Sequence, residues 1–175
     1  PEQAVTDGAL RRISVDFHFF KTYFLDIGLI SSLLDLNYLS FPEKEDLTFV
    51  NAGKIAEQFI AQHLLYIRPY YETPALYYWA REQKSSSAEI DFVIAYRGSV
   101  IPIEVKAGAS GSLKSLHYFL KEKNLSLGVR FSGHLPSITQ ESSTLASGKI
   151  CQYRLLSLPL YLVEELPRLL ACANF

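Results

Sequence analysis

Two short apolar segments, residues 88–94 (AEIDFVI) and 101–106 (IPIEVK), stand either side of the turn Tyr96-Arg97-Gly98-Ser99. Both are rich in Ile, Val and Phe and are bounded by turn residues, the pattern of paired strands. Side chains alternate across a strand, so Glu89, Asp91 and Val93 are expected on one face of the first. Pro102, Glu104 and Lys106 share one face of the second. Paired as a hairpin, the two segments would bring three acids and one lysine to one side of a sheet. Residues 100–105 are apolar at nearly every position, as in a strand buried on both faces. Charges at the end of such a strand need a partner or a metal, because an isolated buried charge is costly.

These residue types suit divalent-metal chemistry. Mg²⁺ and Mn²⁺ prefer hard oxygen ligands and keep several waters. Asp91 and Glu104 supply two carboxylates, the Ile103 or Val105 carbonyl a further oxygen, and a substrate phosphate completes the shell. A metal so held polarises the phosphoryl group and lowers the pKa of a bound water. Lys106 would point to the same face as Glu104, where it can orient or deprotonate the attacking water or stabilise the developing charge. Lysine suits this role because its pKa moves readily with its surroundings. The plainer alternative is a solvated hairpin in which Glu104 and Lys106 form an ion pair.

A further acid lies upstream. Residues 53–65 (GKIAEQFIAQHLL) have helical periodicity, with Glu57, Ile60, Ala61 and Leu64 on one face. A Glu within an apolar stripe is unusual for an amphipathic helix. Either it reaches the same metal pocket, or it sits at the stripe's edge, paired with Lys or Arg or snorkelling to water.

The order helix-Glu (Glu57), strand-Asp (Asp91), strand Glu-x-Lys (Glu104, Lys106) resembles the PD-(D/E)XK nuclease superfamily. More narrowly, the chain resembles the C-terminal domain, of unknown function, of bacterial and archaeal AAA-type ATPases. The matching pieces are residues 21–29, 53–59, 77–81, 88–94, 101–107, 114–116 and 158–162. The resemblance implies an α/β (α+β) fold with a restriction-endonuclease-like mixed β-sheet flanked by helices. It implies Mg²⁺ or Mn²⁺ at Asp91 and Glu104, with Lys106 and Glu57 as further catalytic residues. Glu89 is a weaker candidate on the same face. Ile90, where the superfamily label has Pro, departs from the pattern. No G-x-x-x-x-G-K-[ST] phosphate loop occurs in the chain, and the resemblance implies an N-terminal ATPase domain of the same polypeptide as the partner.

At 175 residues with 49% hydrophobic and 20% charged content, the chain reads as one globular domain, over 21–175, after an N-terminal arm over 1–20. A formal net charge of −1 counts mildly against strong autonomous nucleic-acid binding, since duplex binders carry a basic excess or stripe. Two cysteines without metal-ligand spacing fit a reducing cytoplasm. Residues 17–36 come nearest to a membrane span, but Lys21, Asp26 and Asp35 interrupt them, so no membrane partner is expected. The absence of methionine suggests a piece of a longer protein.

Elsewhere the pattern predicts an aromatic strand over 17–24, then Asp26 capping a helix over 27–36. A core strand is expected over 76–81, with Tyr77, Tyr78 and Trp79 as packing residues. A helix follows over 113–123, a strand over 127–131 and a polar loop over 132–149. The chain should end with an edge strand over 153–157 and a helix over 160–170 broken at Pro167. On the helix over 113–123, Lys114, His117 and Lys121 form a basic stripe that can contact phosphates or simply face solvent. Two rivals to nuclease activity follow. One is a catalytically silent module that docks the ATPase to nucleic acid or protein. The other is an oligomerisation domain, a homo-oligomer built on the aromatic N-terminal segment.

Overall fold

The computed structural model describes residues 18–34, 52–83, 86–108, 111–144 and 150–173. Most of the expected N-terminal arm, residues 1–17, lies outside them. The elements are α1 (Ile27–Leu33), α2 (Ala52–Tyr66), β1 (Tyr77–Gln83), β2 (Ser86–Tyr96), β3 (Ser99–Val105), α3 (Lys114–Glu122), β4 (Leu127–Phe131), β5 (Ser137–Thr144) and β6 (Ile150–Leu158). A 3₁₀ helix (Leu160–Glu165) and α4 (Leu166–Cys172) complete the chain.

The strands form one mixed sheet in the order β1-β2-β3-β4-β6-β5. β1, β2 and β3 are antiparallel, β4 runs parallel to both β3 and β6, and β5 returns antiparallel to β6. The crossover from β3 to β4 is α3. The β2–β3 hairpin closes through Arg97 (φ 47°) and Gly98 (φ 77°). Two consecutive positive φ values define the turn whose twist matches that of the flanking strands, and Gly98 adopts its conformation without steric penalty.

Both faces of the sheet are covered, as a mixed sheet with helices on either side requires. On one face Phe92, Ile101, Ile103 and Val105 pack with Ile60, Ala61 and Leu64 of α2 and with Leu166 and Leu170 of α4. On the other, Ile90, Val100 and Leu155 meet Leu116, Phe119 and Leu120 of α3. Each fully buried Val, Leu, Ile or Phe among them contributes about 1.5–3 kcal/mol on burial. This double covering makes β3 buried from Val100 to Val105, as its composition predicts. Trp79 stacks near Tyr118 and edge-on to Phe119 (5.1 Å), so it packs against α3.

Several expectations are corrected. Residues 19–24 join no strand. Their backbone is instead held by α2: the Gln58 amide accepts from Phe24 N–H and donates to Phe24 C=O, both at 2.9 Å. One turn on, Gln62 accepts from Ile27 N–H and donates to Asp26 Oδ2. Asp26 caps α1 as predicted, accepting from Gly28 and Leu29 N–H. β5 runs through the predicted polar loop; it is an exposed edge strand with no apolar alternation to betray it. β6 therefore lies inside the sheet, not at its edge, and the predicted core strand β1 is an edge. Pro167 starts α4 rather than breaking a helix, because the missing N–H of proline costs nothing in the first turn.

Candidate acidic site on the hairpin

The register that pairs Phe92 with Ile103 makes Asp91 and Glu104 the next positions along the two strands. The strand around Asp91 is not regular. β1 pairs Tyr77 with Val93 and Trp79 with Ile90, so β2 spends one more residue than β1 over this stretch. Tyr78 is thus opposed by Asp91 and Phe92 together, a β-bulge. The bulge reverses the alternation. Ile90 packs beneath α3 with Val93, whereas Phe92 packs beneath α2. The expected common face of Asp91 and Val93 therefore does not hold, and the physical reason is this extra residue.

Asp91 uses the bulge to turn its carboxylate toward β3, where Oδ2 accepts the Val105 N–H at 2.7 Å. Burial pushes the Asp91 pKa up; the Val105 bond opposes this, and the nearby Glu57 charge adds to the rise. Glu104 is 6% exposed. Its Oε1 accepts from Lys106 Nζ at 2.5 Å, while its buried Oε2 has no hydrogen-bond partner. Burial, then the Asp91 charge, push Glu104 up to about 7 in spite of Lys106. The stem of Lys106 lies against Gly111, where an added Cβ would stand 2.7 Å from Lys106 Cδ.

Glu57 occupies the predicted apolar stripe of α2 and is buried. Lys21 and Lys54 both reach it at 2.9 Å, and the Tyr23 hydroxyl donates to it at 3.0 Å. Burial alone would raise its pKa, but the lysines prevail and hold it below its ordinary value. Burial and the Glu57 charge raise Tyr23. Lys21 also pairs with Glu89 and lies over the Tyr78 ring, 5.0 Å from its centroid. Lys21, Tyr23 and Lys54 are thus part of the site although sequence patterning did not select them. The available signal was Lys21 itself, a charge inside an aromatic run.

The four acids therefore lie in one electrostatic neighbourhood, with Asp91 sensing Glu57 and Glu104 sensing both Asp91 and Glu89. Among the described residues, no three carboxylate, imidazole or thiolate groups come close enough to hold a metal ion together. Of the predicted basic stripe, Lys114 is exposed at the start of α3. His117 turns inward, with its ring 5.4 Å from that of Tyr153, and burial lowers its pKa. Lys121 is half-buried. The stripe is therefore not one continuous solvent face.

The fold and the site define a mixed α/β domain with a partly compensated acidic cluster at a bulged hairpin. The family model described as Domain of unknown function (DUF4143) matches residues 52–154, more than half of the 175-residue chain, and the chain belongs to that family. The match runs from the first residue of α2 into β6, so it includes all four acids and leaves out Lys21. No match was found among curated proteins or among solved structures. Among the described residues, no helix is long and apolar enough to cross a membrane.

Proposed function

We propose that this chain is a PD-(D/E)XK nuclease-like domain acting on nucleic-acid phosphodiesters, joined in its full polypeptide to an N-terminal AAA-type ATPase domain. One observation carries the reading: the buried Glu104 Oε2 has no partner, beside the Asp91 carboxylate, at a bulged strand. A buried carboxylate oxygen left unpaired is costly, and a cation is one way to satisfy it. Two hard oxygen donors fit Mg²⁺ or Mn²⁺, which fill the rest of their shell with water and substrate. Bound there, such an ion would lower the pKa of a water and polarise the phosphoryl oxygens. Asp91 and Glu104 would hold it. Lys106, already on Glu104, would place positive charge beside the phosphate and orient the attacking water. Glu57 would act as an auxiliary acid. Lys114, His117 and Lys121 are the candidate contacts to the nucleic-acid backbone. The ATPase context rests on the resemblance of residues 21–29, 53–59, 77–81, 88–94 and 101–107 to the C-terminal domain of AAA-type ATPases.

A second reading has its own support. Lys106 already pairs with Glu104, Val105 N–H with Asp91, and two lysines with Glu57. Such compensation suits a catalytically silent module that docks the ATPase to nucleic acid or to a protein, or assembles it into a homo-oligomer.

Mn²⁺ titration by calorimetry separates the two, with Asp91→Ala and Glu104→Ala as controls and cleavage of single- and double-stranded DNA and RNA as the next step. Saturable binding abolished by both substitutions, with metal-dependent cleavage, is the expected result. Absence of binding at millimolar Mn²⁺, with nucleic acid still retained, would leave the silent module.

A further inference from the structure

Lys21 enters the acidic site from outside the sheet. Its ammonium contacts both Glu57 and Glu89, and its charge is felt at Asp91. It is carried by a segment with no ladder hydrogen bonds, held on α2 by the Gln58 and Gln62 side-chain amides one helical turn apart. Tyr23 of the same segment also packs on Phe92 (ring centroids 5.9 Å) and Lys21 reaches Glu89 and the Tyr78 ring, so side chains rather than a backbone ladder join the segment to the sheet. With Lys21 in place, the carboxylates of Glu57, Glu89, Asp91 and Glu104 face the ammonium groups of Lys21, Lys54 and Lys106. Without it, four carboxylates face two ammonium groups. Lys54, whose side chain is 76% exposed, compensates weakly because solvent screens it. Glu104 Oε2, buried and without a hydrogen-bond partner, is a second and geometric reason to place cation affinity here.

We propose that residues 18–34 form an autoinhibitory strap, whose Lys21 ammonium is a tethered competitor for a divalent cation at the Asp91–Glu104 site. Docking of the strap lowers cation affinity, and release of the strap raises it. By linkage, a bound cation weakens strap docking by the same factor. The proposal rests on the nuclease-like reading for the identity of the competing ion, and it concerns regulation of that site rather than its chemistry.

The test is Mn²⁺ titration by calorimetry of the whole chain in three forms: wild type, Lys21→Met, and Gln58→Ala with Gln62→Ala. The glutamine pair loosens the strap without changing any charge, and it decides the matter if Lys21→Met does not fold. Both variants are expected to bind Mn²⁺ about ten-fold more tightly than the wild type, within the usual range of coupling between sites. Asp91→Asn with Glu104→Gln in the Lys21→Met background should abolish that binding. In the wild type, Mn²⁺ should speed amide exchange at Phe24 and Ile27. Equal affinity in all three forms overturns the strap and leaves the metal reading standing. Tighter binding by Lys21→Met alone overturns it too, since charge removal then suffices. Weaker binding by Lys21→Met overturns it by making Lys21 a supporter of the site. Absence of binding in every form removes the strap proposal and the metal reading together.

Discussion

Asp91 on β2 accepts the backbone N–H of Val105 on β3 at 2.7 Å, across the point where β2 bulges. The carboxylate stands in for a ladder carbonyl while remaining next to Glu104. Removing it strands a buried donor, at a cost of about 1–3 kcal/mol. Asp91→Ala is therefore expected to lower stability by that amount in urea unfolding. Asp91→Asn keeps an acceptor oxygen and should cost less than half as much while still removing the charge. Equal losses in the two variants would mean that the Val105 bond contributes little.

Glu104 governs the pH dependence near neutrality. In the folded protein it holds its proton up to about pH 7, whereas its ordinary value is 4.5. The native state then binds more protons than the unfolded state between these values, so stability falls as pH rises through the window. Each pH unit of that window is worth about 1.4 kcal/mol, so the expected loss between about pH 5 and pH 8 is roughly 2–3 kcal/mol. Glu104→Gln should remove most of this slope. Glu57, held below its ordinary value, acts with the opposite sign and only at lower pH. Unfolding free energies measured across this range check both statements; a flat wild-type profile would sink the first.

The two lysines on Glu57 should be unequal. Lys21 has a side chain 19% exposed, against 76% for Lys54. Double-mutant cycles with Glu57→Gln are expected to give a coupling of about 1–2 kcal/mol for Lys21 and under roughly 0.5 kcal/mol for Lys54, since solvent screens the latter. Equal couplings would mean that burial does not set the strength of these pairs.

Gly111 leaves room for the Lys106 stem. Gly111→Ala is expected to displace that stem and loosen the Lys106 pair with Glu104. The Glu104 carboxyl, followed by carbon NMR through a pH titration, should then titrate higher than in the wild type, and the melting temperature should fall as well, because Gly111 (φ 158°) holds a backbone conformation that L side chains rarely adopt. An unmoved titration would show that the lysine re-seats on Glu104.

Much of the frame is legible in the chain. The hairpin over β2 and β3 follows from two apolar runs joined by Arg97-Gly98, because turn chemistry and strand period are local properties. The α1 cap by Asp26 and the α2 stripe containing Glu57 are equally local. Strand β5 is not legible, since an exposed edge strand needs no apolar face. The order and spacing of Glu57, Asp91, Glu104 and Lys106 can be read directly, as can the buried character of β3.

Local patterning in the chain assigns each charge to its element, because periodicity and turn residues act over a few positions. What those charges meet is set by tertiary packing. The bulge that sends Ile90 and Phe92 to opposite faces leaves no trace in composition, since both are apolar whichever way they point. Lys21 reaches Glu57 across 36 residues, on a segment held by glutamine amides rather than by a strand ladder. Contacts of that range depend on how packed elements bring distant backbone together, and short-range patterns do not encode them.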